Sequence, residues 1–458
     1  MRLHVGAAAL LTGYFGFVAC SDAFTGTDEP GEAGAAGEPS GSSGSPSEGG
    51  SPSTGEAGGG GSIEPGEGGA AGTSVIGVAG DAMGGSGTVT PRPVSIANCT
   101  TELGGGTCRN VIGVGSWTTC AITKNGVVKC WGLNEHLQLG DGKKKHEPCG
   151  DDPNLDCNDE PVVVLGLDGA EQLAGGEQSN CALNGKGHLY CWGLDLRMEG
   201  DLPVATRFGT SEGSRAVSLR LPFGVLPGDG TAWVGGLDQQ GNGVYGSGPF
   251  PMANERRFQA PVTGLEDVIA FDLGFYHGCA VRQGGGVVCW GKDVNAELGD
   301  GAKMNRNSPV AVKNVSDAVG VAVGDGSSCA LLGSGGVTCW GTGHPGVTAS
   351  PTPVPGLIGV LDVRGGFGHF CALLDTGKVS CWGRNELGQA GLQDLGTSVL
   401  APTPVKGVSG AVAIGLGAHH SCALLEGGKM VCWGENGVGQ LGRGNFEVSP
   451  APAEVKGL

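Results

Sequence analysis

The chain reads as an all-β protein: a seven-bladed β-propeller of four-stranded antiparallel blades, closed by its C-terminal strand and preceded by a disordered linker. Three observations predict this. A Cys pair spaced by ten residues and followed by Trp-Gly recurs six times. A seventh copy, 224–236, has lost both Cys together, as Gly224 and Val234. One Gly stands six residues after the first position of the pair in all seven copies.

The pairs are Cys120 with Cys130, Cys181 with Cys191, Cys279 with Cys289, Cys329 with Cys339, Cys371 with Cys381 and Cys422 with Cys432. If each pair faces across an antiparallel hairpin, three residues pair on each side and three remain for the loop. Such a loop commonly ends in a left-handed Gly. Gly126, Gly187, Gly230, Gly285, Gly335, Gly377 and Gly428 hold that place. The degenerate copy keeps its Gly, so it is expected to keep the hairpin and lose only the covalent link.

The flanking strands are apolar on both faces, as in Ala423-Leu424-Leu425. A sheet sandwiched between neighbouring sheets requires that. Repeats lie about 42 to 61 residues apart, one four-stranded blade each. The recurring Trp131, Trp192, Trp290, Trp340, Trp382 and Trp433 are expected to pack between blades, with Trp233 standing in where Gly235 replaces the Trp. Most copies are preceded by a Pro-rich apolar stretch such as Pro353-Val354-Pro355, the first copy lacks a clear one, and the chain ends in a surplus stretch at 452–458. The expectation is that this tail supplies the outer strand of the first blade and removes two free edges.

The blades resemble the regulator of chromosome condensation repeat family. The resemblance rests on His420-Ser-Cys422-Ala-Leu-Leu, then Trp433-Gly434-Glu-Asn436-Gly-Val-Gly439-Gln440-Leu441-Gly442, with echoes at Trp382-Gly383-Arg-Asn385 and Trp131-Gly132-Leu-Asn134. It covers 96–458 and implies a propeller. The Cys pair departs from intracellular members and fits exported bacterial, disulfide-containing relatives. The family includes secreted proteins that inhibit an enzyme by covering its active site, and an intracellular founding member that exchanges guanine nucleotides.

Residues 1–20 read as a lipoprotein signal peptide. Arg2 provides the positive start, and Val5 to Val18 is too short to span a bilayer comfortably. Phe17-Val18-Ala19-Cys20 resembles a bacterial lipobox, with Cys20 as the lipid attachment site. Ser21 directly after that Cys favours an outer-membrane or cell-surface lipoprotein, the periplasm being the alternative. Residues 21–95 are Gly, Ser, Pro, Ala and Glu, with ten acidic residues against Arg92. They cannot bury enough apolar surface to order and form a tether about 45–50 Å in end-to-end reach.

Cysteine use points to an oxidising compartment. Of 17 Cys, Cys20 is set aside for lipid and six hairpins take twelve. Cys99 with Cys108 and Cys149 with Cys157 remain, although 99–157 and 108–149 are also open.

The remaining candidates are weak. Gly437 to Gly442 matches a dinucleotide fingerprint, but lies in an all-β repeat where no helix follows. His277, His369 and His420 recur two residues before a hairpin Cys. They could ring the axis and take a metal, but Thr118, Ser179 and Ser327 at the same place in other copies favour hydrogen-bonded structural roles. The insert carrying Asp151, Asp152, Asp156 and Asp159 offers Ca²⁺ ligands without EF-hand spacing, and an acidic solvated loop is favoured. No cofactor and no resident metal are expected.

With a formal net charge of −18 and pI ≈ 4.8, nucleic acid is a poor partner. The leading expectation is a monomeric, membrane-tethered module binding an unknown protein or glycan through propeller-face loops, the membrane being met through the lipid alone. A propeller hydrolase or lyase is the alternative. Guanine-nucleotide exchange is disfavoured by export.

Overall fold

A computed structural model describes residues 110–458, except 197–199, 209–212, 221, 239–254, 343–348 and 397, and except the side chains of 236–238 and 255–259. Cys20, Cys99, Cys108 and the linker lie outside the described residues. Seven antiparallel sheets follow one another along the chain, covering 112–163, 172–207, 216–261, 268–311, 318–353, 360–404 and 411–454. They are blades 1 to 7 of a propeller. In blades 2 to 7 the chain runs from the innermost strand outward. No helix of the described residues is long and apolar enough to cross a membrane.

The hairpin geometry follows the Cys spacing. Cys120 pairs in register with Cys130 in blade 1, and Cys181 with Cys191 in blade 2. Cys279 faces Cys289 in blade 4, and Cys329 faces Cys339 in blade 5. Cys371 faces Cys381 in blade 6, and Cys422 faces Cys432 in blade 7. Each of these six pairs is a disulfide. In blade 3 Gly224 sits opposite Val234 in the same register. There the Phe271 ring of blade 4 leans against Gly224 and fills the space a Cys side chain would take. The Thr123 amide donates to Val127 and the Gly126 amide to Thr123, which leaves a three-residue loop. The seven loop glycines have φ between 68° and 87°, a region L-residues avoid.

Each blade's tryptophan packs against the preceding blade. Trp433 lies in a cluster with Leu373 and Val379 of blade 6, and Trp340 in one with Val281 and Val287 of blade 4. Trp233 packs with Leu183 and Leu189 of blade 2, so the displaced tryptophan does compensate in blade 3.

Two features differ from expectation. The C-terminal strand Ser449–Glu454 pairs with Met430–Gly434 and is the outer strand of blade 7. Blade 1 builds its own outer strand, Asp152–Val163. Among the described residues no strand is exchanged, and the Pro-rich stretch ends a blade rather than beginning the next. The ring closes through packing: Trp131 of blade 1 shares a cluster with Met430, Leu441 and Val455 of blade 7. The acidic insert is also no irregular loop. Glu147–Cys149 adds a fifth, outermost strand to blade 1, and a disulfide joins Cys149 to Cys157 within this hairpin.

Candidate functional site

The three histidines are fully buried between blades. His277 Nε2 lies 2.8 Å from Ser328 Oγ of the next blade, His369 Nε2 2.9 Å from Ser421 Oγ, and His420 Nε2 2.8 Å from Thr119 Oγ1. Each hydroxyl donates its one proton to a backbone carbonyl, of Glu297, Gln389 or Gln440. The imidazole must therefore donate from Nε2, and in His277 and His420 a buried Nδ1 without a hydrogen-bond partner among the described residues has no acceptor for the second proton that a charged ring would carry. The same carbonyls accept from Trp340, Trp433 and Trp131 Nε1. The glycine-rich turn 437–442 thus presents the Gln440 carbonyl to Trp131 and Thr119, a latch between blades with no nucleotide geometry. The structural reading of these histidines holds, and among the described residues no group of three His, Cys, Asp or Glu side chains is placed to hold a metal.

Burial pushes the pKa of both His277 and His420 down to about 3, with Lys292 acting in the same direction on the former and His419 on the latter. A His kept neutral in the fold contributes stability that is whole above its unfolded pKa near 6.5. That contribution is lost as pH falls from there toward 3. His420→Gln is expected to lower stability at pH 7, and to remove about 1.4 kcal/mol per pH unit from the slope of stability against pH within that window. Denaturant melts between pH 4 and 7 read both effects, and an unaltered slope would contradict the neutral, buried assignment.

The channel on the propeller axis is narrow because its mouth is collared by glycine. Gly115, Gly176, Gly274, Gly324, Gly366 and Gly417 each follow an innermost strand. A Cβ at any of them would meet the carbonyl oxygen of the next blade's equivalent residue. Blade 3 alone places a side chain there, Arg220. Its turn is one residue shorter, with the Arg220 amide donating to Pro222 where the Gly176 amide donates to Ser179. Arg220 Nη2 reaches across the axis to the Gly365 carbonyl of blade 6, 2.8 Å away. Beside it, Asp272 accepts from Ser218 Oγ at 2.9 Å and from the Val323 amide at 2.8 Å. Arg364 Nε donates to Asp362 at 2.8 Å. Burial pushes the Asp272 carboxyl up, and Arg220 is the main charge holding it down. The cavity left in the channel is about 70 Å³, far below the roughly 300–1,000 Å³ of a small-molecule pocket. Among the described residues the channel is a satisfied polar plug.

The two faces differ. The face carrying the hairpin loops repeats the same small, Gly-ended turn in every blade. The opposite face carries the turns after the innermost strands, and there the copies diverge: Ser116-Trp117, Glu177-Gln178, Phe275-Tyr276, Asp325-Gly326, Phe367-Gly368 and Ala418-His419. The rings form a continuous run. Trp117 lies 6.2 Å from His419, His419 5.5 Å from Phe367, Phe367 6.1 Å from Phe275, and Phe275 6.2 Å from Tyr276, centroid to centroid. The residue after each Trp-Gly stands beside these turns. Lys292 Nζ lies 4.7 Å over Tyr276 and Arg384 Cζ 5.4 Å over Phe367. Both distances suit cation–π attraction.

Glu435 occupies the same place in blade 7, its amide donating to the His419 carbonyl. It is 7% exposed, and Oε2 has no hydrogen-bond partner among the described residues. Burial pushes its carboxyl up to about 7 and pushes the nearby His419 imidazole down to about 4, with Arg384 adding to the effect. The sequence reading missed this face because its signal is divergence, not repetition.

The insert carboxylates are not brought together. Asp156 accepts from Asn134 Nδ2 and from the His146 amide. Asp152 accepts from the Asn154 amide. Asp159 abuts Gly439 of blade 7, and burial, then Glu160, raises its pKa. Asp151 sits exposed in the hairpin turn.

Comparison with known proteins agrees with this architecture. The regulator of chromosome condensation (RCC1) repeat model matches 112–138, 360–389 and 411–440, and a second model of the same repeat matches 376–424. Human Protein RCC2 is 41% identical over 75 residues, 16% of this chain and 14% of that one. The Arabidopsis thaliana mitochondrial RCC1 domain-containing protein RUG3 is 28% identical over 227 residues, 44% of this chain and 46% of its own. The chain therefore spans less than half the length of these curated relatives. Among solved structures, human WBSCR16 superposes with a TM-score of 0.62 at 19% identity, covering 72% of this chain and 94% of that one. Prp20p of Saccharomyces cerevisiae, studied for binding Gsp1p and histones, gives 0.55 at 19%, covering 67% and 80%. At such identities these two share the fold alone. Repeats of the regulator of chromosome condensation type are thus matched in blades 1, 6 and 7 of the propeller.

Proposed function

We propose that this protein is a monomeric binding module, not an enzyme, whose partner docks on the aromatic face around the channel mouth. The lipid on Cys20 and the linker tether it to a membrane, at the cell surface or in the periplasm. The observation that carries the reading is the run of rings from Trp117 to Tyr276. These are half-buried aromatic side chains on one face, at positions that differ from blade to blade, and binding residues concentrate on such loops. The seven disulfides among the described residues fit an oxidising compartment, which keeps a nucleotide-exchange role out of consideration.

The test is capture from intact cells or culture medium with the full-length chain as bait. The double variant Tyr276→Ala, Phe367→Ala is expected to lose at least tenfold in captured partner. Ile358→Ser, which alters an 84% exposed side chain on the opposite face, is expected to lose nothing. The reverse pattern would place the site on the hairpin face.

One observation favours a catalytic alternative. Glu435, with its carboxyl near pH 7, could serve as a general acid. Turnover on a glycan or ester panel that disappears in Glu435→Gln would establish that role.

A further inference from the structure

The turn of blade 5, Gly324-Asp325-Gly326, carries no ring, and it lies between the ring-bearing turns of blades 4 and 6. Asp325 stands there with Oδ1 buried and without a hydrogen-bond partner among the described residues. Lys292 and Arg384 flank it closely enough to act on its charge. Neither forms an ion pair with it among the described residues, and each lies over an aromatic ring instead. An acceptor withdrawn from water and left unpaired is costly unless a bound group supplies the donor. Two cations, one carboxylate and the rings of Phe275, Tyr276 and Phe367 therefore converge on one small area.

The charges decide which ligand this area suits. An anionic side chain would meet Lys292 and Arg384 but be repelled by Asp325. A cation would meet Asp325 but be repelled by both bases. A neutral ring bearing adjacent hydroxyls satisfies all three. One hydroxyl donates to Asp325, its neighbours accept from Lys292 and Arg384, and the C–H face of the ring covers an aromatic side chain. Resting on the binding-face reading above, we infer that blades 4 to 6 form a saccharide subsite, centred on Asp325 between Phe275 and Phe367, that takes a neutral sugar ring of a glycan.

The full-length chain is titrated calorimetrically with neutral oligosaccharides: the β-1,4-linked glucose and N-acetylglucosamine series, the α-1,4-linked glucose series, and galactose- and mannose-based chains. At least one series is expected to bind, with an affinity that changes less than twofold between low and high salt, since no net ion pair forms. Asp325→Asn and Phe367→Ala are each expected to weaken it at least tenfold, and Ile358→Ser to leave it unchanged. Arg384→Gln, at an exposed position, serves in place of Asp325→Asn if that variant alters the melting curve. An oligosaccharide bound equally well by Asp325→Asn and Phe367→Ala would overturn the subsite. Binding to none of the series, with protein capture still lost in Phe367→Ala, would overturn the saccharide and leave the binding face standing. Neither glycan binding nor capture would remove both.

Discussion

Complete reduction is expected to unfold the propeller at room temperature, under conditions in which the oxidised protein remains folded. Each of the six hairpin disulfides closes a loop of sequence separation 10. In the chain-entropy picture each contributes about 2.5–3 kcal/mol by restricting the unfolded chain. Their sum, roughly 15–18 kcal/mol, exceeds the usual 5–15 kcal/mol margin of a folded domain. Blade 3 shows that one link is dispensable, since Phe271 and Trp233 restore the packing its hairpin lacks. The expectation for a single pair, Cys371→Ala with Cys381→Ala, is accordingly a loss of about 2.5–3 kcal/mol in a protein that still folds. The sulfurs are buried, so reduction proceeds through transient opening, and equilibrium must be reached in mild denaturant. Thiol labelling paired with circular dichroism reads the result. Twelve hairpin thiols titrated in a chain with an unchanged melt would show that packing alone suffices.

The hairpin was legible in the sequence because three constraints coincide on it: a fixed separation, a left-handed Gly and a paired loss in the degenerate copy. The phase of the repeat was not. A ring of equivalent units has no natural first residue, so the stretch at 353–357 could open one blade or close another. Only the pairing of Thr352–Pro353 with Val337–Gly341 decides that it closes blade 5. The same ambiguity made 452–458 look surplus and made Pro161-Val162-Val163 go unrecognised as the outer strand of blade 1. The insert was misjudged for another reason. Asp152, Asp156 and Asp159 are strung along an extended strand, whose rise of roughly 3.3 Å per residue sets them roughly 10 Å or more apart. Asp156 accepts from Asn134 and His146 instead of joining the other carboxylates. Arg220 had a readable signal, as the side chain in a slot that is Gly in the six other copies. The aromatic face had only the divergence of its turns, since nothing local to Phe275 and Phe367 reveals that residues 92 apart in number meet edge to face.

The seam between blades 7 and 1 is where the ring can fail, and removing 450–458 is expected to lower the melting temperature by more than 10 °C or to abolish cooperative folding. The cause is not the loss of an exchanged strand. The segment holds most of the outer strand of blade 7, and beyond it the Val455 amide donates to Met430 and the Lys456 amide to Gly442. Val455 lies with Trp131 and Met430 in the cluster that spans the seam. Trp131 and Met430 are fully buried; each would be uncovered, at about 1.5–3 kcal/mol per large side chain. The ladder along Met430–Gly434 would become an open edge. The insert hairpin limits the damage, because the Gly444 amide donates to the Asp159 carbonyl at 3.0 Å and Phe446 packs against Gly150. Trp131→Ala isolates the side-chain part of the seam, and is expected to cost about 3–5 kcal/mol as a large-to-small core change. Trp433→Ala should cost the same, because that indole makes the same bond to Gln389 that Trp131 makes to Gln440. Equal losses would show that the seam is an ordinary blade junction. A smaller loss at Trp131 would show instead that the ring tolerates an opening there, and an unchanged melt after the deletion would remove the tail from the closure altogether.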